Sequence, residues 1–197
     1  IKSCPLYAAN LEDKERNKEF INIDFNKQKR KVLYSFIGSY QSFYISKIRE
    51  LLLNKIKHPE NCIVIYRNEW HFQKEVYDKQ IVGKMINSND KVKLLSNCKI
   101  YNKVLLNSKF SLCPSGSGPN SIRFWESLGV GSIPILFSDT LDLPYHDLWK
   151  NAILVVKEKD YKNLQNLLSK ITVEKEKDIR KNCLKIYNDF KNNFLQI

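Results

Sequence analysis

The segment 108–139 constrains the fold more than any other part of the chain, because it alternates strand, small-residue loop, helix and strand. Apolar residues at 110–113 predict a short strand, which the run PSGSGP at 114–119 ends. Residues 121–130 predict a helix and 133–137 a second buried strand. A helix that starts after such a loop presents free N–H groups and the positive end of its dipole, which favour an anion. The segment therefore predicts an α/β unit with a candidate phosphate site.

The loop does not match the two common nucleotide-binding motifs. No Gly-Lys-Ser/Thr follows its glycines, and the third glycine of G-x-G-x-x-G is absent. A kinase-like or dinucleotide-binding site is therefore not supported. The alternative is that the glycines serve chain geometry alone, as in many strand-to-helix turns.

The rest of the chain continues the alternation of strands and helices. Predicted strands lie at 32–37, 62–66, 109–113, 132–137 and 152–156, and predicted helices at 41–57, 100–107, 121–130, 160–170 and 174–195. A loop with Arg67, Trp70 and His71 follows the second strand, and a further helix at 75–86 is an option. This pattern predicts an α/β fold with a parallel sheet covered by helices on both faces. Residues 1–31 read as a linker or lead-in, and 32–197 as one domain.

Ligands of such sheets bind beyond the carboxyl ends of the strands. The rule predicts that four loops lie together on one edge of the sheet: 38–39, 67–71, 115–121 and 138–141. Gly38 and Ser39 lie close to the 115–121 loop if the first and third strands are neighbours. The convergence of these loops strengthens the prediction of a binding site.

Composition limits the cellular setting and the class of partner. With 197 residues and 43% hydrophobic content, the chain suits one α/β domain or one lobe of a larger protein. It contains no signal peptide and no apolar run long enough to span a membrane. Its five scattered cysteines form no C-x-x-C pair, which indicates free thiols in a reducing compartment. We therefore expect a cytoplasmic or peripheral membrane location.

The net charge of +12 comes mainly from lysines, since only six of the 33 basic residues are arginines. Lysine is typical of solvated surfaces, whereas recognition of phosphates and bases favours arginine. We therefore expect no nucleic-acid partner. Attraction to an anionic membrane surface or an acidic substrate is the alternative use of this charge.

Several segments in order resemble the exostosin-like glycosyltransferases: SKFSLCPSGSG, SIRFWESLGVGSIPILFSD, LPYHDL and AILVV. The match covers about 99–156, and the α/β pattern fits more loosely over 32–195. The resemblance implies a GT-B fold with two Rossmann-like lobes, of which this chain is similar to the C-terminal, donor-binding lobe. It also implies inverting transfer of a sugar from a nucleoside diphosphate sugar to an acceptor glycan hydroxyl, with an N-terminal lobe outside this chain.

The resemblance also implies donor-binding roles for individual residues. Glu126 aligns with the glutamate that accepts both ribose hydroxyls, and Arg123 lies one turn earlier, within reach of the diphosphate. The alternatives are a glutamate that complements the helix dipole and an intrahelical pair between the two. The remaining candidates would offer amides, hydroxyls or charge to the donor: Ser115, Gly116, Ser117, Gly118, Asn120, Ser121, Gly38, Ser39, Arg67 and Asp139. Capping is the alternative for Asn120, Ser121 and Asp139, and it is favoured for Asp139.

Two functional groups of the family pattern are missing from the matched region. Many GT-B enzymes hold the donor sugar with a carboxylate eight residues before the ribose-binding glutamate, where this chain has Gly118. The catalytic residues are unknown, because no base for the acceptor proton is evident and His146 is interpreted as structural. Asp139 and Asp142 are too far apart to imply a metal pair, so no metal site is predicted. Dependence on a divalent metal stays open, and no cofactor is assigned besides the nucleotide sugar substrate.

Three alternatives to this interpretation remain. The α1,3-fucosyltransferase type shares the loop and helical glutamate, but its aromatic-Glu-Asn sequence is replaced here by Cys113-Pro114-Ser115. A basic nucleic-acid module would need clustered arginines and exposed aromatic residues. A degenerate lobe that serves as a scaffold within a larger transferase would bind no nucleotide.

Overall fold

The computed structural model describes residues 4–68, 82, 83, 85 and 87–194. The predicted Trp70 and His71 loop positions, and nearly all of the predicted helix 75–86, lie outside these residues. The strands are β1 (Val32–Gly38), β2 (Ile63–Tyr66), β3 (Ser108–Pro114), β4 (Ile133–Phe137) and β5 (Leu154–Val155). The α-helices are α1 (Ala9–Glu12), α2 (Ile48–Asn54), α3 (Ser88–Asn107), α4 (Ile122–Val130), α5 (Leu164–Ser169) and α6 (Val173–Phe194). Short 3₁₀ helices occupy Lys18–Phe20, Trp149–Asn151 and Glu158–Asn163.

The five strands form one parallel sheet in the order β2-β1-β3-β4-β5. β1 pairs with β3, with Val32 opposite Ser108 and Tyr34 opposite Phe110. The predicted parallel α/β sheet, and the predicted adjacency of the first and third strands, are therefore confirmed. In this strand order the chain direction across the sheet reverses between β1 and β3, which opens a crevice beyond their carboxyl ends.

Helices cover both faces of the sheet, as the alternating side chains of β1 show. Ile37 packs in a cluster with Tyr101 and Leu105 of α3. Tyr34 of the same strand points to the opposite face of the sheet. There its hydroxyl donates to His58, which follows α2 in the chain. The main core contains Trp125 and the other large apolar side chains of β1, β3, β4 and α4. This two-sided burial explains why the central strands read as continuous apolar runs.

Four predicted elements differ from the observed ones by more than one residue at an end. The predicted helix 41–57 was wrong over its first turns: α2 begins only at Ile48, because residues 40–47 form a loop that crosses the loop after β3 and donates from Ile45 N to Gly116 O. The predicted helix at 100–107 is the last part of the 20-residue α3. The strand predicted at 152–156 is reduced to two residues, and the helix predicted at 160–170 is a 3₁₀ turn followed by α5.

Residues 4–31, predicted as a lead-in, pack against the α/β unit. Ala8, Ala9 and Asn10 are buried, and α1 contacts α4. Arg30 is 8% exposed and donates to the carbonyl oxygens of Leu106 and Val130 near the ends of α3 and α4. A cation is favoured at helix carboxyl ends, so this buried arginine joins the two helices.

Candidate functional site

A cavity of about 250 Å³ opens at the carboxyl ends of β1 and β3, at the crevice that the strand order creates. Most of the residues predicted from the sequence line it: Gly38, Ser39, Arg67, Gly116, Ser117, Asn120, Ser121, Arg123 and Glu126. The two glycine-containing loops thus meet at one cavity. Further lining residues come from outside the prediction: Leu6, Asn10, Ile37, Arg49, Tyr101 and Ile122.

Arg49 is the main cation that the sequence interpretation missed. Its Nε donates to Ser115 O at 2.8 Å, and its Nη1 donates to Ser39 O at 3.3 Å. The guanidinium lies 5.0 Å from the Tyr44 ring centroid. Burial, with a contribution from the nearby Arg123 charge, lowers the pKa of Arg49 to about 10, so it stays charged at neutral pH. Arg49 therefore joins the two loops while it supplies positive charge to the cavity.

The Arg49 guanidinium also explains why residue 116 is a glycine. A Cβ atom at Gly116 would lie 2.8 Å from Nη2 and 3.2 Å from Cζ of Arg49. Any larger residue would displace the guanidinium from the carbonyl groups that it holds. The loop backbone can approach the arginine this closely only without a side chain.

Arg123 of α4 is held by the sheet and by aromatic rings. Its Nη2 donates to the carbonyl oxygen of Ile37. The guanidinium lies 4.7 Å from the Phe36 centroid and 5.2 Å from that of Tyr101, within the range of cation–π attraction. The alternative prediction was an intrahelical ion pair with Glu126. These two described side chains bond to other groups instead: Arg123 to Ile37 O, and Glu126 to Asn10 N and the Tyr101 hydroxyl. Arg123 is therefore oriented into the cavity by groups outside its own helix.

Arg67 follows β2 directly and completes a group of three arginines. Its backbone N donates to Gly38 O at 2.8 Å, and its Nη2 reaches Asn97 O at 3.5 Å. Burial and the charge of Arg123 lower the pKa of Arg67. No lysine is among the described residues that line the cavity, and Glu126 is the acidic one. The cavity is therefore cationic through forked guanidinium groups, which suit phosphate oxygens.

Glu126 lies in the cavity wall and is only 3% exposed. Its Oε1 accepts from Asn10 N at 2.9 Å, and its Oε2 accepts from the Tyr101 hydroxyl at 2.7 Å. Burial raises the pKa of Glu126, while these hydrogen bonds and the charge of Arg123 oppose the rise. A carboxylate oxygen can accept more than one hydrogen bond, so the wall keeps acceptor capacity toward a ligand.

The start of α4 borders the cavity at Asn120 and Ser121. Ser121 is the N-cap residue, but its side chain forms no capping bond. Instead, Asn120 Oδ1 accepts from Ser121 N and from the Trp125 indole, both at 2.9 Å. Asn120 thus holds the N-cap residue and the Trp125 indole rather than an N–H group of the helix. The first turn of α4 borders the cavity with its positive dipole end.

Three predicted residues lie outside the cavity. The Ser115 hydroxyl is buried and donates to Glu158 Oε1 at 2.8 Å. Gly118 accepts from Gly116 N and has open space where its Cβ would be. Asp139 Oδ1 accepts from Glu158 N at 3.1 Å, at the start of the 3₁₀ helix Glu158–Asn163. These three residues are not among those that line the cavity.

His146 lies away from the cavity in an aromatic cluster. Its Nε2 contacts Asp189 Oδ2 at 3.2 Å, and its Nδ1 accepts from Leu148 N. The ring packs near Trp149 and Phe190. These contacts support the structural interpretation of this histidine.

Sequence reasoning missed residues whose position depends on packing across the chain. Arg49 lies in α2 and Tyr101 in α3, and nothing in their local spacing marks them as site residues. The small number of arginines was the signal that could have identified Arg49. Three of the six arginines of this lysine-rich chain line this one cavity. Leu6 and Asn10 belong to the segment interpreted as a lead-in.

Two absences hold within residues 4–68, 82, 83, 85 and 87–194. In these ranges no group of three or more His, Cys, Asp or Glu side chains could hold a metal ion. Among the same residues, no helix is both long and apolar enough to cross a membrane. None of the five cysteines, all of which the structure describes, forms a disulfide bond, and Cys98, Cys113 and Cys183 are buried.

Comparison with known proteins gives a family match over most of the chain. The family model of the exostosin GT47 domain matches residues 11–171. The Exostosin-1 homolog of Caenorhabditis elegans is 27% identical over 196 residues, which cover 95% of this chain and 48% of that protein.

Two plant proteins match shorter regions. A probable glucuronoxylan glucuronosyltransferase of Arabidopsis thaliana is 33% identical over 42% of this chain and 18% of its own length. A probable beta-1,4-xylosyltransferase of the same plant is 37% identical over 33% of this chain and 16% of its own length. The chain thus spans about half of the exostosin homolog and under a fifth of these plant relatives. With this family match and a parallel α/β sheet that fits one GT-B lobe, the chain belongs to the exostosin GT47 glycosyltransferase family.

Proposed function

We propose that this chain binds a nucleoside diphosphate sugar in the cavity at the ends of β1 and β3. The bound donor would serve inverting transfer of its sugar to a hydroxyl of an acceptor glycan. The observation that supports the proposal is the convergence of Arg49, Arg67 and Arg123 with Glu126 in one cavity at the strand-order reversal. Family membership and the transferase names of the relatives support the reaction class.

The three arginines would hold the diphosphate, and this contact would matter most as the sugar leaves. Cleavage of the sugar–phosphate bond leaves additional negative charge on the diphosphate. Guanidinium groups already fixed by carbonyl and ring contacts can stabilise that charge without reorganising. The loop amides near Gly116 and Ser117 and the start of α4 would add neutral donors to the same phosphates.

Glu126 would accept the ribose hydroxyls of the donor. The carboxylate is already oriented by Asn10 N and the Tyr101 hydroxyl, so its remaining acceptor positions are fixed. Gly118, at the family's sugar-binding position, leaves recognition of the sugar to other residues. The relatives' names suggest a glucuronosyl or xylosyl donor as the first sugars to test. The base that removes the acceptor proton would come from a second lobe outside this chain.

Isothermal titration calorimetry with UDP, GDP and CMP tests the proposal. We expect saturable binding of at least one nucleoside diphosphate and weaker binding of CMP, which lacks the second phosphate. Absence of binding to all three nucleotides would contradict the proposal and favour a scaffold role. Arg123→Ala should lower the affinity for the nucleoside diphosphate. The control Lys181→Ala, on the exposed side of α6, should leave this affinity unchanged.

A further inference from the structure

Asn10 lines the cavity and combines deep burial with an unpaired polar atom. The residue is 2% exposed, and its Oδ1 accepts no hydrogen bond. Arg30, Asn102 and Ser132 also have a buried unpaired atom within the described ranges, but none of them lines the cavity. A buried acceptor without a partner is unfavourable, and such groups concentrate where a ligand completes the hydrogen bonding.

The wall that contains Asn10 is fixed before any ligand arrives. We use the name N-terminal strap for residues 4–12. Asn120 Nδ2 donates to the carbonyl oxygen of Cys4 at 3.1 Å at one end of the strap. At the other end, Glu12 accepts from the Tyr187 hydroxyl and from Lys191 Nζ, both at 2.7 Å. The strap is therefore attached to the loop before α4 and to α6, on either side of Asn10.

Both the backbone and the side chain of Asn10 act on Glu126. Its backbone N–H donates to Glu126 Oε1, and its side-chain amide also opposes the rise that burial causes in the pKa of this carboxylate, so the proposed ribose-binding group positions the residue. The apolar Leu6, from the same strap, also lines the cavity. Arg49 lies by contrast against the loops that contain Ser39 and Gly116, and we call this part the arginine end of the cavity.

We propose that Asn10 is a specificity-determining residue whose amide hydrogen-bonds the polar edge of the donor's nucleobase, with Leu6 packed against the ring. The inference rests on the proposed nucleotide site. With the diphosphate at the arginine end and the ribose at Glu126, the base of the nucleotide would lie next to the strap. An amide offers an acceptor oxygen and donor N–H groups together, as the edge of a base does. A site built to hydrogen-bond its ligand rejects analogues with the wrong pattern, because its buried polar group then stays unpaired.

Asn10→Ala tests the role of the side chain, because it leaves the backbone N–H to Glu126 in place. Asn10→Leu preserves side-chain volume without polar atoms, and Asn182→Ala on α6 is the remote control. Calorimetry with UDP, GDP and inorganic pyrophosphate is run on the 197-residue chain and on each variant. We expect wild type to prefer one nucleotide, and both Asn10 variants to bind it about tenfold more weakly with a smaller UDP-to-GDP ratio. Pyrophosphate binding and the melting temperature should stay at the control values.

Each other outcome overturns the inference. Unchanged affinity and preference in the Asn10 variants would remove the side chain from the site, and equal wild-type affinities for UDP and GDP would remove base selection. An equal loss for pyrophosphate, or loss of the fold in both variants, would show a structural role. A wild-type chain that binds no nucleotide would contradict the proposed function as well, which separates that failure from the failure of Asn10 alone.

Discussion

Glu126→Gln separates the binding role of this carboxylate from its structural role. Glutamine keeps the shape of the side chain and retains Oε1 as the acceptor for Asn10 N–H. Its Nε2 replaces Oε2, so the Tyr101 hydroxyl accepts instead of donates. Because both partners keep a hydrogen bond, we expect a change in unfolding free energy of under about 1 kcal/mol near neutral pH.

The effect on nucleotide affinity should be larger. Ribose hydroxyls that donate to a carboxylate form charge-assisted hydrogen bonds worth about 1.5–3 kcal/mol, against about 0.5–1.5 kcal/mol for bonds to a neutral group. The difference of about 1–1.5 kcal/mol corresponds to a loss of roughly 5- to 12-fold in affinity. Calorimetry with the preferred nucleoside diphosphate measures it, with Glu174→Gln on the surface of α6 as the control. Unchanged affinity in Glu126→Gln would refute the assignment of this residue to the ribose.

Glu126→Gln should also change how the free energy of unfolding depends on pH. The folded-state pKa of Glu126 is raised by burial above its ordinary value of 4.5. Between that value and the raised one, the folded protein holds a proton that the unfolded chain has released. Wild-type stability therefore loses a contribution as the pH rises through this window, and Glu126→Gln does not. Urea denaturation across the window should show the variant gaining stability relative to wild type as pH increases, and a constant difference would contradict the reasoning.

Three further variants test the loop and the arginines. Gly116→Ala places a methyl group 2.8 Å from a buried guanidinium and should cost about 1–3 kcal/mol in denaturation, whereas Gly118→Ala meets open space and should cost almost nothing. Arg123→Lys keeps the charge but loses the forked geometry, so nucleotide affinity in calorimetry should fall about tenfold with little change in melting temperature; equal affinity would exclude a bidentate contact. Arg30→Met leaves buried carbonyl oxygens unpaired and should lower the unfolding free energy by about 2–4 kcal/mol, while the exposed Lys29→Met should not.

The central strands could be predicted closely because each is buried on both faces. Phe110, Leu112 and Ile135 are fully or almost fully buried, so their segments are apolar throughout and easily recognised. The 40–47 loop was mistaken for helix because Phe43 and Ile45 fit a helical spacing. Both side chains are exposed, and contacts with the 115–118 loop decide the conformation of this segment.

By itself, the sequence determined a parallel α/β domain, the small-residue loop before α4, and the resemblance that pointed to Glu126 and Arg123. These features depend on local patterns of apolar, glycine and charged residues, which a linear reading preserves. Only the tertiary structure decided that Arg49 and Asn10 belong to the same cavity. Arg49 contacts a loop residue 66 positions away and Asn10 contacts a carboxylate 116 positions away, and such long-range contacts are set by strand order and helix packing rather than by any local pattern.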